Sequence, residues 1–179
     1  MDDLKNSIAI VGIGGLFPDA PELAQYWDLI REGRTAVREV PAGRWQVEPN
    51  LVYDPEVGKP DHVYSTKGCF LAETPNLPEL EGMDPLFHVL VTAARRALDD
   101  AKTESLDRSR IGVIIGNLAL PSETSSILAR NWLGRCFEEQ VVGQASEPIP
   151  TSPLNRYVAG LPAGLLAQQL GLGGVTNTL

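Results

Sequence analysis

The residues most able to do chemistry in this chain are few. A Gly12-Ile13-Gly14-Gly15 turn follows a short apolar run and invites a dinucleotide reading, because glycines there let backbone amides approach a pyrophosphate. That fingerprint needs glycine or alanine three places after the second glycine, and Phe17 stands there, with Pro18 delaying any helix. A simple tight turn is the expectation. His62 and His88 are the only histidines, so a centre built on several imidazoles is excluded, and the spacing of His62 to Cys69 matches no common zinc pattern. The expectation is a surface histidine at His62, a small buried thiol at Cys69 and a structural histidine at His88. Cys69 has no base beside it in sequence, and Cys136 forms no CxxC pair with it. Asp99-Asp100 near a helix end reads as a solvated face. No GKS or GKT phosphate loop and no GxSxG elbow occurs. The residues alone therefore describe a scaffold without a complete catalytic set.

The elements that would position any site alternate between strand and helix. Ser7 to Gly12 is a continuous β-branched run, as expected for a strand buried on both faces. Asp19 and Glu22 have capping-box spacing, with Asp19 as the expected N-cap of a helix carrying Leu23, Tyr26, Trp27 and Ile30 and stopped by Gly33. From about 34 to 82 the helical period disappears. Pro41, Pro49, Pro55, Pro60, Pro75 and Pro78 punctuate a stretch that still carries Trp45, Tyr53, Tyr64 and Phe70, which predicts an ordered excursion with short strands.

Asp84-Pro85 predicts a helix start, with one face marked by Leu86, Leu90, Ala94, Ala97 and Ala101. Arg110 to Asn117 predicts a second buried strand. Ser122 predicts the cap of a helix to about Leu133, followed by a loop over 140–151. Leu154 to Leu170 has helical period, but Pro162 predicts a kink or break within it. Its small residues Ala159, Gly160, Ala163, Gly164 and Ala167 would let another backbone approach. Gly171 to Gly174 ends that helix, and Val175 to Leu179 predicts an extended segment. The fold class is α/β, with an incomplete, mostly parallel sheet and helices on both faces. The pattern stops before its last β-α unit closes, so the reading expects the remainder of the domain beyond Leu179.

The chain has 179 residues, 15 Lys and Arg against 23 Asp and Glu, and a formal charge of −8. An acidic chain without a basic block is poorly suited to a phosphate backbone, so nucleic acid is not an expected partner. The longest apolar run, Ile8 to Phe17, is about half a membrane span, and the N-terminus is acidic where a signal peptide is basic. The expectation is a cytoplasmic protein with reduced cysteines.

Taken in order, several segments resemble the start of a β-ketoacyl synthase domain of a multifunctional polyketide or polyunsaturated-fatty-acid synthase. They are Ile8 to Pro18 (IAIVGIGGLFP), Tyr26-Trp27 with Gly33-Arg34, Val40 to Trp45 (VPAGRW), Tyr53-Asp-Pro55, Gly58-Lys59, and Gly68 to Leu71 (GCFL). Met83-Asp-Pro85, Ile111 to Gly116 (IGVIIG) and Asn155 to Gly160 (NRYVAG) complete the series. The resemblance implies a thiolase-like fold, of which residues 1–179 would be the N-terminal portion, and a homodimer when whole.

It also implies a nucleophilic cysteine in an Ala-Cys-Ser/Ala-Ser motif shortly past Leu179, with the family's histidines and lysine later still. Cys69, Cys136, His62 and His88 therefore inherit no catalytic role. The implied reaction is decarboxylative Claisen condensation of acyl and malonyl thioesters carried on the phosphopantetheine of acyl carrier protein, with neighbouring synthase domains as partners and no other cofactor or metal. By the same resemblance Asn117, Leu118, Ala119 and Leu120 would line the acyl site. Val175, Thr176, Asn177 and Thr178 would pair across the dimer axis. The alternative is a truncated, non-catalytic interaction module. Leu86-Phe87-His88, where modular polyketide ketosynthases carry Gln-Gln-Arg, and Pro162 lean the resemblance towards polyunsaturated-fatty-acid or related iterative synthases.

Overall fold

A computed structural model describes residues 7–45, 47–118 and 122–179, with the side chain of Glu104 left out. Two compact units emerge: Gly15–Glu73, and residues 7–14 together with Thr74–Leu179.

In the Gly15–Glu73 unit, helix α1 spans Leu23–Arg31. Its N-cap is Glu22, whose N–H is accepted by Gln25 Oε1 at 3.1 Å, rather than the expected Asp19. Asp19 instead adopts φ +57° and pairs with Arg38 at 3.0 Å, because the Phe17–Ala20 bridge turns the chain before the helix can begin. Gly33 ends the helix at φ +64°, as its spacing predicted. The proline-punctuated stretch holds the short strands β1 (Arg38–Glu39) and β2 (Lys67–Gly68), paired antiparallel, and the one-turn helix α2 (Pro49–Val52). That order without long elements is what frequent proline dictates: each removes a backbone donor and restricts its predecessor.

In the second unit, α3 (Pro85–Ala101) begins where Asp84 caps it, its carboxylate accepting the Leu86 N–H at 2.9 Å. It ends at Lys102 in the left-handed conformation. Strand β3 (Val113–Ile115) pairs in parallel with β4 (Thr176–Thr178), Val113 against Thr176. Between them Ser122 caps α4 (Glu123–Ala129). A π-turn over Arg130–Gly134 leads into α5 (Arg135–Val142), so the helical stretch runs well past the expected Leu133 and into the expected loop. The predicted Leu154–Leu170 helix is two pieces, a 3₁₀ turn over Pro153–Tyr157 and helix α6 (Pro162–Leu170). Pro162 breaks the chain as expected, yet serves as the first residue of the new helix, where its missing N–H costs nothing.

The core of this unit joins Leu80, Phe87 and Val91 to Val113 and to Ala163, Leu165, Leu166, Ala167 and Leu170 of α6. Ala163 and Ala167 bury themselves there, whereas Gly160 and Gly164 face open space, so the small-residue face divides.

The expected strand at Ser7 to Gly12 does not form: residues 7–12 are irregular backbone, and Ile8 is 95% exposed. What fixes its end is contact with α3. A Cβ on Gly12 would lie 2.5 Å from the Ala97 carbonyl oxygen, and one on Gly14 would lie 2.3 Å from the Ala97 nitrogen. Only glycine allows that approach.

Candidate functional site

The parallel pair β3–β4 brings two of the sequence-predicted groups together at its carboxyl end, the usual place for ligands in open α/β sheets. The Asn117 N–H donates to the Leu179 carbonyl at 2.9 Å, and the Leu179 N–H donates to the Ile115 carbonyl at 2.8 Å, so the ladder extends past both strands. The Asn117 amide then donates through Nδ2 to the Val158 carbonyl at 2.8 Å. Thr178 reaches the same linker: its Oγ1 accepts the Ala163 N–H at 3.1 Å and donates to the Gly160 carbonyl at 3.4 Å.

Helix α6 has no side-chain cap of its own, and this hydroxyl from β4 satisfies one of its orphan N–H groups. Leu118 is 85% exposed beside this clamp. Ala119 and Leu120 lie outside the described residues. Val175, just before β4, and Thr176 and Asn177 on it are exposed.

A second polar cluster, of which the sequence announced only the helix cap, ties three segments together. Asp84 is 5% exposed, and its Oδ2 accepts the hydroxyl protons of both Ser122 and Thr124. Its N–H donates to Asn155 Oδ1 at 2.8 Å, and Asn155 Nδ2 donates to the Gly82 carbonyl and to Thr151 Oγ1, each at 3.0 Å. Ser122, Thr124 and Asn155 lie 38, 40 and 71 residues from Asp84, so no local spacing could have revealed these pairings.

The remaining candidates are structural. Asp100 is not merely solvated: its Oδ2 accepts the Ile13 N–H at 2.9 Å, which engages an amide of the glycine turn that a dinucleotide site would need. His88 is buried, and its Nδ1 accepts the Leu77 N–H at 3.0 Å, in line with the structural role expected of it. His62 Nδ1 sits 2.7 Å from the Pro60 carbonyl. Cys69 is exposed, not buried as expected, because its neighbour Phe70 takes the inward position; Cys136 is exposed too, its thiol 3.5 Å from the Trp132 carbonyl. Among the described residues no group of three His, Cys, Asp or Glu could hold a metal ion, and no helix is long and apolar enough to cross a membrane.

Among the described residues, four carboxyls away from this site are held below their ordinary range. The Ser109 hydroxyl and N–H lower Asp107, Lys59 and the Glu56 N–H lower Asp54, and Ser146 lowers Glu138. A backbone hydrogen bond and then Arg95 lower Glu79.

The family model of the β-ketoacyl synthase N-terminal domain matches residues 5–179. The chain belongs to this family. It is a ketosynthase N-terminal domain of the kind found in polyketide synthases, with the α/β, thiolase-like architecture that the motif series implied.

Among its relatives, polyketide synthase PksL of Bacillus subtilis (strain 168) is 32% identical over 126 residues, which cover 64% of this chain and 3% of that protein. The non-reducing polyketide synthase PKS12 of Gibberella zeae is 36% identical over 128 residues, covering 63% of this chain and 6% of that protein. The chain thus spans only a few per cent of the length of these curated relatives. Among solved structures, the PfaC keto synthase-chain length factor superposes with a TM-score of 0.73 at 26% identity, covering 92% of this chain and 20% of that one.

Proposed function

We infer that this ketosynthase domain contributes the opening scaffold of a condensing enzyme that joins acyl and malonyl thioesters by decarboxylative Claisen condensation. The observation that carries the reading is the match to the ketosynthase N-terminal domain along residues 5–179. Acyl groups would arrive as phosphopantetheine thioesters on acyl carrier protein, in the cytoplasm, with neighbouring synthase domains on the same polypeptide.

Within that scheme the chain's own residues hold and shape rather than react. Asn117 is anchored to the Val158 carbonyl at the start of the segment 117–120 proposed to line the acyl chain, Leu118 offers that chain an apolar side chain, and Thr178 ties β4 to α6. The exposed Val175, Thr176 and Asn177 leave β4 a surface on which a second copy could pair, supporting a homodimer. A condensing enzyme needs an activated thiolate and donors for the enolate charge. Cys69 and Cys136 stand in Lys-Gly-Cys-Phe and Gly-Arg-Cys-Phe contexts unlike the family's reactive motif, so the thiol is assigned to sequence outside these residues.

The test is covalent acylation, read by intact mass, of the polypeptide carrying this domain after exposure to an acyl N-acetylcysteamine thioester. The Cys69→Ala, Cys136→Ala double variant should be acylated like the parent. Acylation confined to either of these cysteines, or none in the parent, refutes the reading.

A further inference from the structure

Two segments that carry the family resemblance without any part in the chemistry above, Val40 to Trp45 and Gly68 to Leu71, meet inside the Gly15–Glu73 unit. They border an open cavity of about 300 Å³ whose lining includes Val40, Arg44, Trp45, Ser65, Lys67 and Phe70. The Phe70 ring, part of that lining, lies so close over β2 that a Cβ on Gly68 would fall 3.0 Å from its Cζ. The absent side chain at Gly68 is what lets the ring lie there, and Arg38 fixes the Phe70 backbone by donating through Nη2 to its carbonyl at 2.9 Å. The Arg44 guanidinium sits 5.6 Å from the centroid of that ring.

Charge pairing singles this place out. In the same unit Arg31, Arg34, Arg38 and Lys59 each meet a carboxylate, at Asp28, Glu32, Asp19 and Asp54. Among the described residues Arg44 has none. Lys67 is loosely held, its Nζ 3.8 Å from Glu39 Oε1, while the other oxygen of Glu39 already accepts the Thr66 hydroxyl at 2.7 Å. Ser65 Oγ accepts the Lys67 N–H at 3.1 Å, which leaves its own proton for a further acceptor. The cavity therefore combines an aromatic and aliphatic wall with two cations and a hydroxyl at its rim, in a protein of net charge −8.

We propose that this cavity is a binding site for a small aromatic anion of the aryl phosphate class, its ring against Phe70, Trp45 and Val40 and its charge on Arg44 and Lys67. The guanidinium fork suits a phosphate, and the apolar wall supplies contacts that a bare anion cannot use.

The site is tested on the 179-residue chain by titrating phenyl phosphate and following the side-chain and backbone NMR signals of Arg44, Trp45, Lys67 and Phe70. Saturable shifts at these residues are expected, with a Kd that rises as ionic strength is raised. Arg44→Gln should weaken binding about tenfold and Lys67→Gln about threefold, with inorganic phosphate and benzyl alcohol both binding far more weakly than phenyl phosphate. Because Arg44 is exposed, its variant should keep a dispersed spectrum; should it not, Arg44→Lys, which keeps charge but loses the fork, must still weaken binding by a few-fold. Unsaturable or scattered shifts, equal binding of benzyl alcohol, or an unchanged Kd in the arginine variants overturns the proposal. None of these outcomes bears on the acylation test above, so the two readings fail separately.

Discussion

Replacing Asp84 by alanine should remove a polar anchor shared by the α3 start and the Ser122–Thr124 segment. The buried carboxylate accepts from three donors: the Leu86 N–H, the Ser122 hydroxyl and the Thr124 hydroxyl. Loss of a helix cap alone costs about 1 kcal/mol. Hydrogen bonds to a charged group contribute about 1.5–3 kcal/mol each, but the two hydroxyls are only part-buried and can turn to one another, so about 1 kcal/mol each is a fair discount. The sum is about 3 kcal/mol, or a fall in Tm of roughly 6–12 °C for a chain of this size.

Asp84→Asn keeps the cap oxygen and lets the hydroxyls rotate to accept from the new amide, so about 1 kcal/mol is expected. Urea unfolding followed by circular dichroism gives both values, with unchanged m-values required for the comparison. A double-mutant cycle with Ser122→Ala should return a coupling of about 1 kcal/mol. A loss under about 1 kcal/mol for Asp84→Ala, or full additivity with Ser122→Ala, would show that the cluster does not hold these three segments together.

Three further outcomes are expected. Gly14→Ala places a methyl against the α3 backbone and should destabilise by about 2 kcal/mol or more, whereas Gly164→Ala, with open space around it on a helix, should stabilise by about 0.5–1 kcal/mol; thermal melts that fail to separate the two reject the packing described. His88→Ala strands the Leu77 N–H at a cost of about 2 kcal/mol, and His88→Asn, which can still offer an acceptor, should recover part of it; hydrogen exchange at Leu77 reads this directly. Asp107 has a folded pKa lowered by Ser109, so its contribution is present above the ordinary carboxylate range of about 4 and is lost as pH falls through the lowered value. The urea-midpoint gap between parent and Asp107→Asn should therefore shrink as the solution is acidified below that range, and a constant gap contradicts the assignment.

Local punctuation was legible because its physics is local. Asp84-Pro85 starts α3, Gly33 stops α1 and Ser122 caps α4, since each acts on groups within a few residues. Pro162 announced a break, because an interior proline has no N–H to give. The ordered motif series disclosed the family.

Partnership over distance was decided by the tertiary structure. Ser7 to Gly12 has the composition of a buried strand, but a strand exists only where a neighbour supplies a ladder, and here the segment is fixed instead by Gly14 on Ala97 and Ile13 on Asp100. Asp19 lost its role as a cap to Glu22 because a bridge at Phe17–Ala20 set the entry of the chain. Nothing in sequence paired Asp84 with Asn155, Thr178 with Ala163, or Arg44 with Phe70. Helix ends and turns are set by neighbours along the chain; which donor meets which acceptor across dozens of residues depends on how the elements pack.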